Sequence, residues 1–112
     1  MMDGSKIVER LLNEGAKTNR YTNAGSSAFL LGAEECHNLL VISFLKAGVD
    51  ANQKNQKTGQ TALMSAARCG NYPMTKTLLE HHADTTLKDN SGFRALDYAQ
   101  AAKFDYLVEL LK

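Results

Sequence analysis

Tryptophan is absent from this chain and proline occurs once, as Pro73. A proline-rich linker is therefore excluded, and turns must be made by glycine and small polar residues. Cysteine is scarce, limited to Cys36 and Cys69. Long apolar runs are also missing. Ala28-Phe29-Leu30-Leu31 and Leu39-Leu40-Val41-Ile42 are too short to span a bilayer. Neither sign of charge dominates. A net charge of +1 supplies no whole-chain drive toward nucleic acid or a membrane surface. The opening Met1-Met2-Asp3-Gly4-Ser5 lacks a cationic start followed by an apolar run, so no secretory signal is expected. What the chain does have is 44% hydrophobic residues in 112 positions. That is enough for the core of one domain and too much for a disordered segment.

The chain repeats itself. Gly59-Gln60-Thr61-Ala62-Leu63 returns 33 positions later as Gly92-Phe93-Arg94-Ala95-Leu96, and stands 34 positions earlier as Gly25-Ser26-Ser27-Ala28-Phe29. A period of this size predicts stacked helical units rather than one wrapped core. The second half of each unit carries an apolar stripe at i, i+1, i+4 and i+5. The stripes are Ile7, Val8, Leu11, Leu12; Leu40, Val41, Phe44, Leu45; Met74, Thr75, Leu78, Leu79; and Leu107, Val108, Leu111, Lys112. Such spacing marks one face of a short helix, which is unstable alone and needs its neighbours to cover it. Gly15 and Gly48 follow two stripes and fit left-handed C-terminal caps. His82 takes that place in the third unit, where a less regular cap is expected. The first half of each unit is a shorter helix. Thr61 is suited to cap one, and Ala66, Ala67, Gly32, Ala33 and Ala99 allow close helix approach. Polar segments 17–24, 52–58 and 85–91 read as turns or hairpins, the second with one extra residue that accounts for the spacing of 34.

These motifs resemble the ankyrin-repeat family over nearly the whole chain. The family's Gly-x-Thr-Pro-Leu-His-x-Ala-Ala is represented by Gly59-Gln60-Thr61-Ala62-Leu63-Met64-Ser65-Ala66-Ala67. Its Leu-Leu-x-x-Gly-Ala-Asp is represented by Leu78-Leu79-Glu80-His81-His82-Ala83-Asp84 and by Phe44-Leu45-Lys46-Ala47-Gly48-Val49-Asp50. The resemblance implies an all-α solenoid of helix-turn-helix units with β-turn or hairpin fingers. One domain over 1–112 is expected, with a partial repeat at 1–20, repeats at 21–54 and 55–87, and a C-terminal capping repeat at 88–112. Ala62 stands for the family's proline, and Met64, Leu30 and Asp97 for its histidine. Loss of that histidine's hydrogen bond between loops implies more mobile turns. Gln100 and Lys103, where inner repeats carry Ala67 and Gly70, suit a polar outer face. The N-terminal helix is the weaker end. A monomer is expected, with a weak dimer through that helix left open. Stacked helices lie roughly 8–10 Å apart, whereas disulfide Cα atoms lie within about 7 Å. Cys36 and Cys69 are therefore expected as reduced thiols, as suits a reducing compartment. A cytoplasmic location follows, leaving nuclear or host-cell delivery open.

Chemistry finds little purchase. His81, His82 and Asp84 lack a second ligand pair at metal-binding spacing. Cys69 beside Arg68 has no histidine at a base position. Glu34 and Glu35 are neighbours whose side chains diverge on a helix. No phosphate-binding glycine loop is present. The expectation is no enzyme, no catalytic residue, no metal and no cofactor. Lys17, Arg20, Lys54, Lys57 and Lys88, against Asp89, could attract an acidic protein surface or be ordinary solvated loops. Nucleic-acid binding would need a denser basic stripe with stacking aromatics, so neither nucleic acid nor membrane is expected as a partner.

The resemblance points to another protein as partner, gripped by the concave side formed by fingers and first helices. The matching positions are Tyr21, Asn23, Ala24 and Ser26 with Glu34 and Glu35; Lys57, Thr58 and Gln60 with Arg68 and Cys69; and Asn90, Ser91 and Phe93. Phe93 either anchors in a partner pocket or folds back on Lys57 or Gln60. Arg68 either meets the partner or pairs with Glu35. Tyr21 either meets the partner or covers the first helix. The implied role is adaptor or regulator, with a dedicated inhibitor or immunity protein blocking an enzyme as the runner-up. A purely structural or designed repeat without a ligand is the remaining alternative.

Overall fold

The computed structural model describes residues 27–112. Six α-helices occur among them: α1 Ala28–Glu34, α2 Asn38–Lys46, α3 Ala62–Cys69, α4 Tyr72–Glu80, α5 Ala95–Ala101 and α6 Asp105–Leu111. The described residues contain no β-strand, so the connecting fingers are turns rather than stranded hairpins. The apolar set at Ile7, the Gly15 cap and the candidate contacts Tyr21, Asn23, Ala24 and Ser26 lie outside the described residues.

The helices form two rows. In one, α1 packs on α3 and α3 on α5; in the other, α2 packs on α4 and α4 on α6. Each helix also packs on the other member of its own pair. With seven to nine residues apiece, none could persist alone in water. The predicted stripes supply the missing stability. Leu40, Val41, Phe44 and Leu45 are buried from α2, Met74, Thr75 and Leu78 from α4, and Leu107 and Leu111 from α6. Phe29 of α1 meets Phe44 of α2 edge-on, with ring centroids 6.3 Å apart, a geometry that suits the aromatic quadrupole. Ala33, Ala66, Ala67 and Ala99 are fully buried, and these small side chains bring the first-row helices close together.

Helix starts follow the polar residues expected of caps. Ser27, Thr61 and Asn71 accept from the amides of Leu30, Met64 and Met74 at 3.3, 3.4 and 3.2 Å. The Nδ1 atom of His37 does the same for Leu40 at 3.4 Å. At α5 the roles reverse, and Asp97 Oδ2 accepts from the Arg94 amide at 2.8 Å. Each satisfies an amide that the helix itself leaves unpaired.

Left-handed backbone recurs at matching places. Cys36, Gly70 and Lys103 have φ of 59, 68 and 62°, and Gly48 and His82 have 94 and 68°. The cap at His82 is as regular as that at Gly48, contrary to expectation. The amide of each donates to the carbonyl three residues back at 3.1 Å. Asn52 explains the result. Its Nδ2 donates to the His82 carbonyl at 3.2 Å, and its Oδ1 accepts from the Asp84 amide at 2.7 Å. A side chain from the preceding unit thus holds the turn in place.

Candidate protein-binding face

The finger turns are closed by side chains. In the first, Asn55 Oδ1 accepts from the amides of Lys57 and Thr58 at 2.8 and 3.0 Å, and the Asn55 amide donates to the Gln60 carbonyl at 2.8 Å. In the second, Asp89 Oδ1 accepts from the amides of Ser91 and Phe93 at 2.9 and 3.0 Å. The extra residue read from the repeat spacing lies in the first turn, where Gly59 is one position further from Asn55 than Gly92 is from Asp89. The turns are also joined to each other. The Asn90 amide donates to the Thr58 carbonyl at 2.9 Å, and Asn90 Nδ2 to the Lys57 carbonyl at 2.8 Å. These bonds, with those of Asn52, do the linking that the missing histidines would do. Asn90 therefore spends its side chain on the neighbouring turn, while Lys57, Thr58 and Ser91 stay exposed.

The first-row helices hold the other candidates. Glu35 and Arg68 are exposed, and Glu34 is half-buried. No ion pair joins Arg68 to Glu35. Instead Arg68 donates to Ser65 Oγ at 3.4 Å, and its guanidinium lies 5.7 Å from the centre of the Tyr98 ring. Phe93 rests on Tyr98, an aromatic of its own repeat. It is 49% exposed and meets that ring edge-on at 5.9 Å. A cavity of about 240 Å³ opens there, lined by Phe93, Asp97, Tyr98 and Ala101.

Tyr98 is the residue that sequence reasoning missed. Its phenol donates to Asp89 Oδ2 and accepts from Gln60 Nε2 at 3.2 Å. It thereby gathers Gln60, Arg68 and Phe93, three residues expected on this face, around one ring. The available signal was an aromatic in register with Ser65 and Leu31. Asp89 was expected among the exposed turn charges, but it is buried. Burial pushes its carboxyl up, yet hydrogen bonds from Tyr98, from the amides of Phe93 and Ser91 and from Gln60 outweigh this and hold it below the usual carboxylate range. Burial, reinforced by the bond to Asp89, raises the Tyr98 phenol above its ordinary value.

Cys36 and Cys69 correct another expectation. They are joined as a disulfide, with Cα atoms 6.2 Å apart. Helix separation refers to axes, and it overestimates the gap here. Cys36 lies beyond α1 in left-handed backbone, Cys69 ends α3, and buried Gly32, Ala33, Ala66 and Ala67 let the helices approach. Cys69, expected as a contact residue, is half-buried.

Among the described residues, no three His, Cys, Asp or Glu side chains converge as metal ligands. No helix among them is long and apolar enough to cross a membrane. Residues 28–112 match the family described as ankyrin repeats in three copies.

The chain belongs to the ankyrin-repeat family.

It is 34% identical over 83 residues to the regulatory protein NPR6 of Arabidopsis thaliana, covering 73% of this chain and 18% of that protein. It is 38% identical over 97 residues to ankyrin repeat and SAM domain-containing protein 6 of Rattus norvegicus, covering 86% of this chain and 11% of the relative. A putative ankyrin repeat-containing protein of Treponema pallidum is 28% identical over 112 residues, 99% of this chain and 38% of the relative. The chain thus spans less than two-fifths of the length of these relatives. Ankyrin repeats generally serve as protein-binding scaffolds, and this chain has their fold.

Proposed function

We propose that this ankyrin-repeat domain binds a partner protein through its concave side, as an adaptor or regulator. The carrying observation is the pair Phe93 and Arg68, both exposed and both held against Tyr98. Aromatic and arginine side chains supply much of the energy at protein interfaces, most of all when they are already held in place. The cavity beside Phe93 gives a partner side chain somewhere to enter. An acidic partner surface fits Arg68 and the exposed turn residues Lys54, Lys57 and Lys88, since Asp89 is withdrawn from that surface.

Affinity capture from source-cell extract, followed by mass spectrometry, tests this reading. Phe93→Ala and Arg68→Glu should each weaken capture about tenfold or more, while Glu80→Lys on the second row should leave it unchanged. Retention of full capture by folded Phe93→Ala and Arg68→Glu would refute the assignment. The disulfide removes the free-thiol argument for a cytoplasmic location, and cell fractionation decides where the protein acts.

A further inference from the structure

The disulfide sits at one seam only. Cys36 and Cys69 are 33 residues apart, so the bond joins consecutive repeats. At the next seam the register mate of Cys69 is Ala102, and no second bond is available. Apolar packing closes the same seam. Phe29, Leu30 and Ala33 of α1 and Leu63, Met64, Ala66 and Ala67 of α3 are each 2% exposed or less. Cys36 also occupies left-handed backbone where the following repeat uses Gly70. A cysteine is a poorer residue there than glycine on backbone grounds, as is Lys103 at the matching place of the last repeat. Cys36 is exposed, whereas Cys69 is half-buried, and an incoming thiol therefore has a route to the bond.

We propose that Cys36 and Cys69 form a reversible redox clamp between two repeats, opened by a dithiol reductant. A thiolate of the reductant attacks Cys36 Sγ, the sulfur–sulfur bond breaks, and Cys69 leaves as a thiolate. The second reductant thiol then attacks the mixed disulfide and releases Cys36. The reductant becomes a disulfide, and its two thiol protons end on the two cysteines. Opening frees a loop that had been closed over one repeat and loosens the ends of α1 and α3, while the apolar core keeps them stacked. Glu35 and Arg68 adjoin the two cysteines in the chain, so the clamp also sets how firmly this part of the first-row face is held.

The test needs no partner, so its failure is separate from failure of the concave-face reading. The full chain is oxidised, then exposed under native conditions to iodoacetamide with or without dithiothreitol, and weighed intact. The expected result is no adduct without reductant and two with it. Thermal unfolding should shift down on the order of 10 °C on reduction and return on reoxidation. The C36S/C69S variant should be indifferent to reductant. Should it fail to fold, C36G/C69A restores a glycine at the left-handed position and carries the same comparison. Labelling of both cysteines in the oxidised protein, or the same midpoint with and without reductant, overturns the proposal.

Discussion

The phenol of Tyr98 donates to the carboxylate of Asp89, joining the first-row helix α5 to the turn that precedes it. One Asp89 oxygen serves the turn amides and the other serves this ring. The pair therefore couples the shape of the turn to the position of the aromatic that supports Arg68 and Phe93.

This pair should leave a signature at both ends of the pH scale. The Asp89 carboxyl is lowered in the fold from an ordinary value of 3.8. Its contribution to stability is therefore fully present above that value and lost as pH falls through the lower folded one. The Tyr98 phenol is raised from 10.0, so its contribution is present below that value and lost as pH rises past it. Urea midpoints at pH 7 and pH 3 should fall less between the two conditions for Asp89→Asn than for the parent. Asparagine keeps the acceptor for the turn, as Asn55 does in the preceding unit. Asp84, also lowered, by its bonds from Thr86, is common to both proteins and cancels. Between pH 9 and pH 11, Tyr98→Phe should flatten the curve. Equal acid slopes for parent and Asp89→Asn would show that the carboxylate is not linked to folding.

Gly70 should be far less replaceable than Gly48. Both have positive φ, at 68 and 94°, and alanine in such backbone costs about 1 kcal/mol. Around Gly48 nothing lies within 4 Å of an added Cβ. At Gly70 the Cβ would come within 2.8 Å of the Phe104 ring and 2.9 Å of the Tyr106 hydroxyl. That hydroxyl donates to the Gly70 carbonyl at 2.7 Å, so both aromatics must move. Gly70→Ala should destabilise by roughly 2–4 kcal/mol, and Gly48→Ala by about 1 kcal/mol. Chemical denaturation reads the difference, and equal losses would mean that the aromatic packing yields freely.

The stacked fold was legible because burial and sequence share a period. Leu40 and Met74, or Phe44 and Leu78, occupy equivalent buried places, and the apolar pattern alone locates them. The face was only partly legible. Asp89 looks like any loop carboxylate until Tyr98, nine residues on, is placed beside it. The placement of Arg68 and Phe93 depends on that same ring. The Cys36–Cys69 bond was misjudged because interaxial distance says little about residues at helix ends. The misses at Asp89 and Tyr98 concern side-chain direction, which hydrophobic periodicity does not encode, and that at the cysteines concerns how closely helix ends approach.

His82 offers a gain in stability. It holds φ of 68° without being glycine, while its register mate Gly48 does so at lower cost. The bond from Asn52 goes to the His82 backbone carbonyl, which any residue supplies. His82→Gly should therefore stabilise by about 1 kcal/mol, and His82→Ala should not. Melting temperatures of the two variants decide the matter. A loss with glycine would mean that the imidazole makes a contribution larger than the backbone relief.

Thr75 sets two effects against each other. It is fully buried, and its register mates are Val41 and Val108. Its hydroxyl donates to the Asn71 carbonyl at 2.8 Å, a carbonyl that already accepts from the Thr75 amide at 3.0 Å. Thr75→Val removes the hydroxyl but leaves that carbonyl satisfied, so no orphaned polar group results. The lost hydrogen bond is worth about 1 kcal/mol net, and a buried methyl in place of the hydroxyl returns a similar amount. Back-bonding of this kind also favours helix bending slightly, which tips the balance toward valine. The expected change is between zero and about +1 kcal/mol in stability, measured by urea unfolding. A loss above about 1 kcal/mol would show that the hydroxyl holds the start of α4 in a way that its bond to Asn71 alone does not explain.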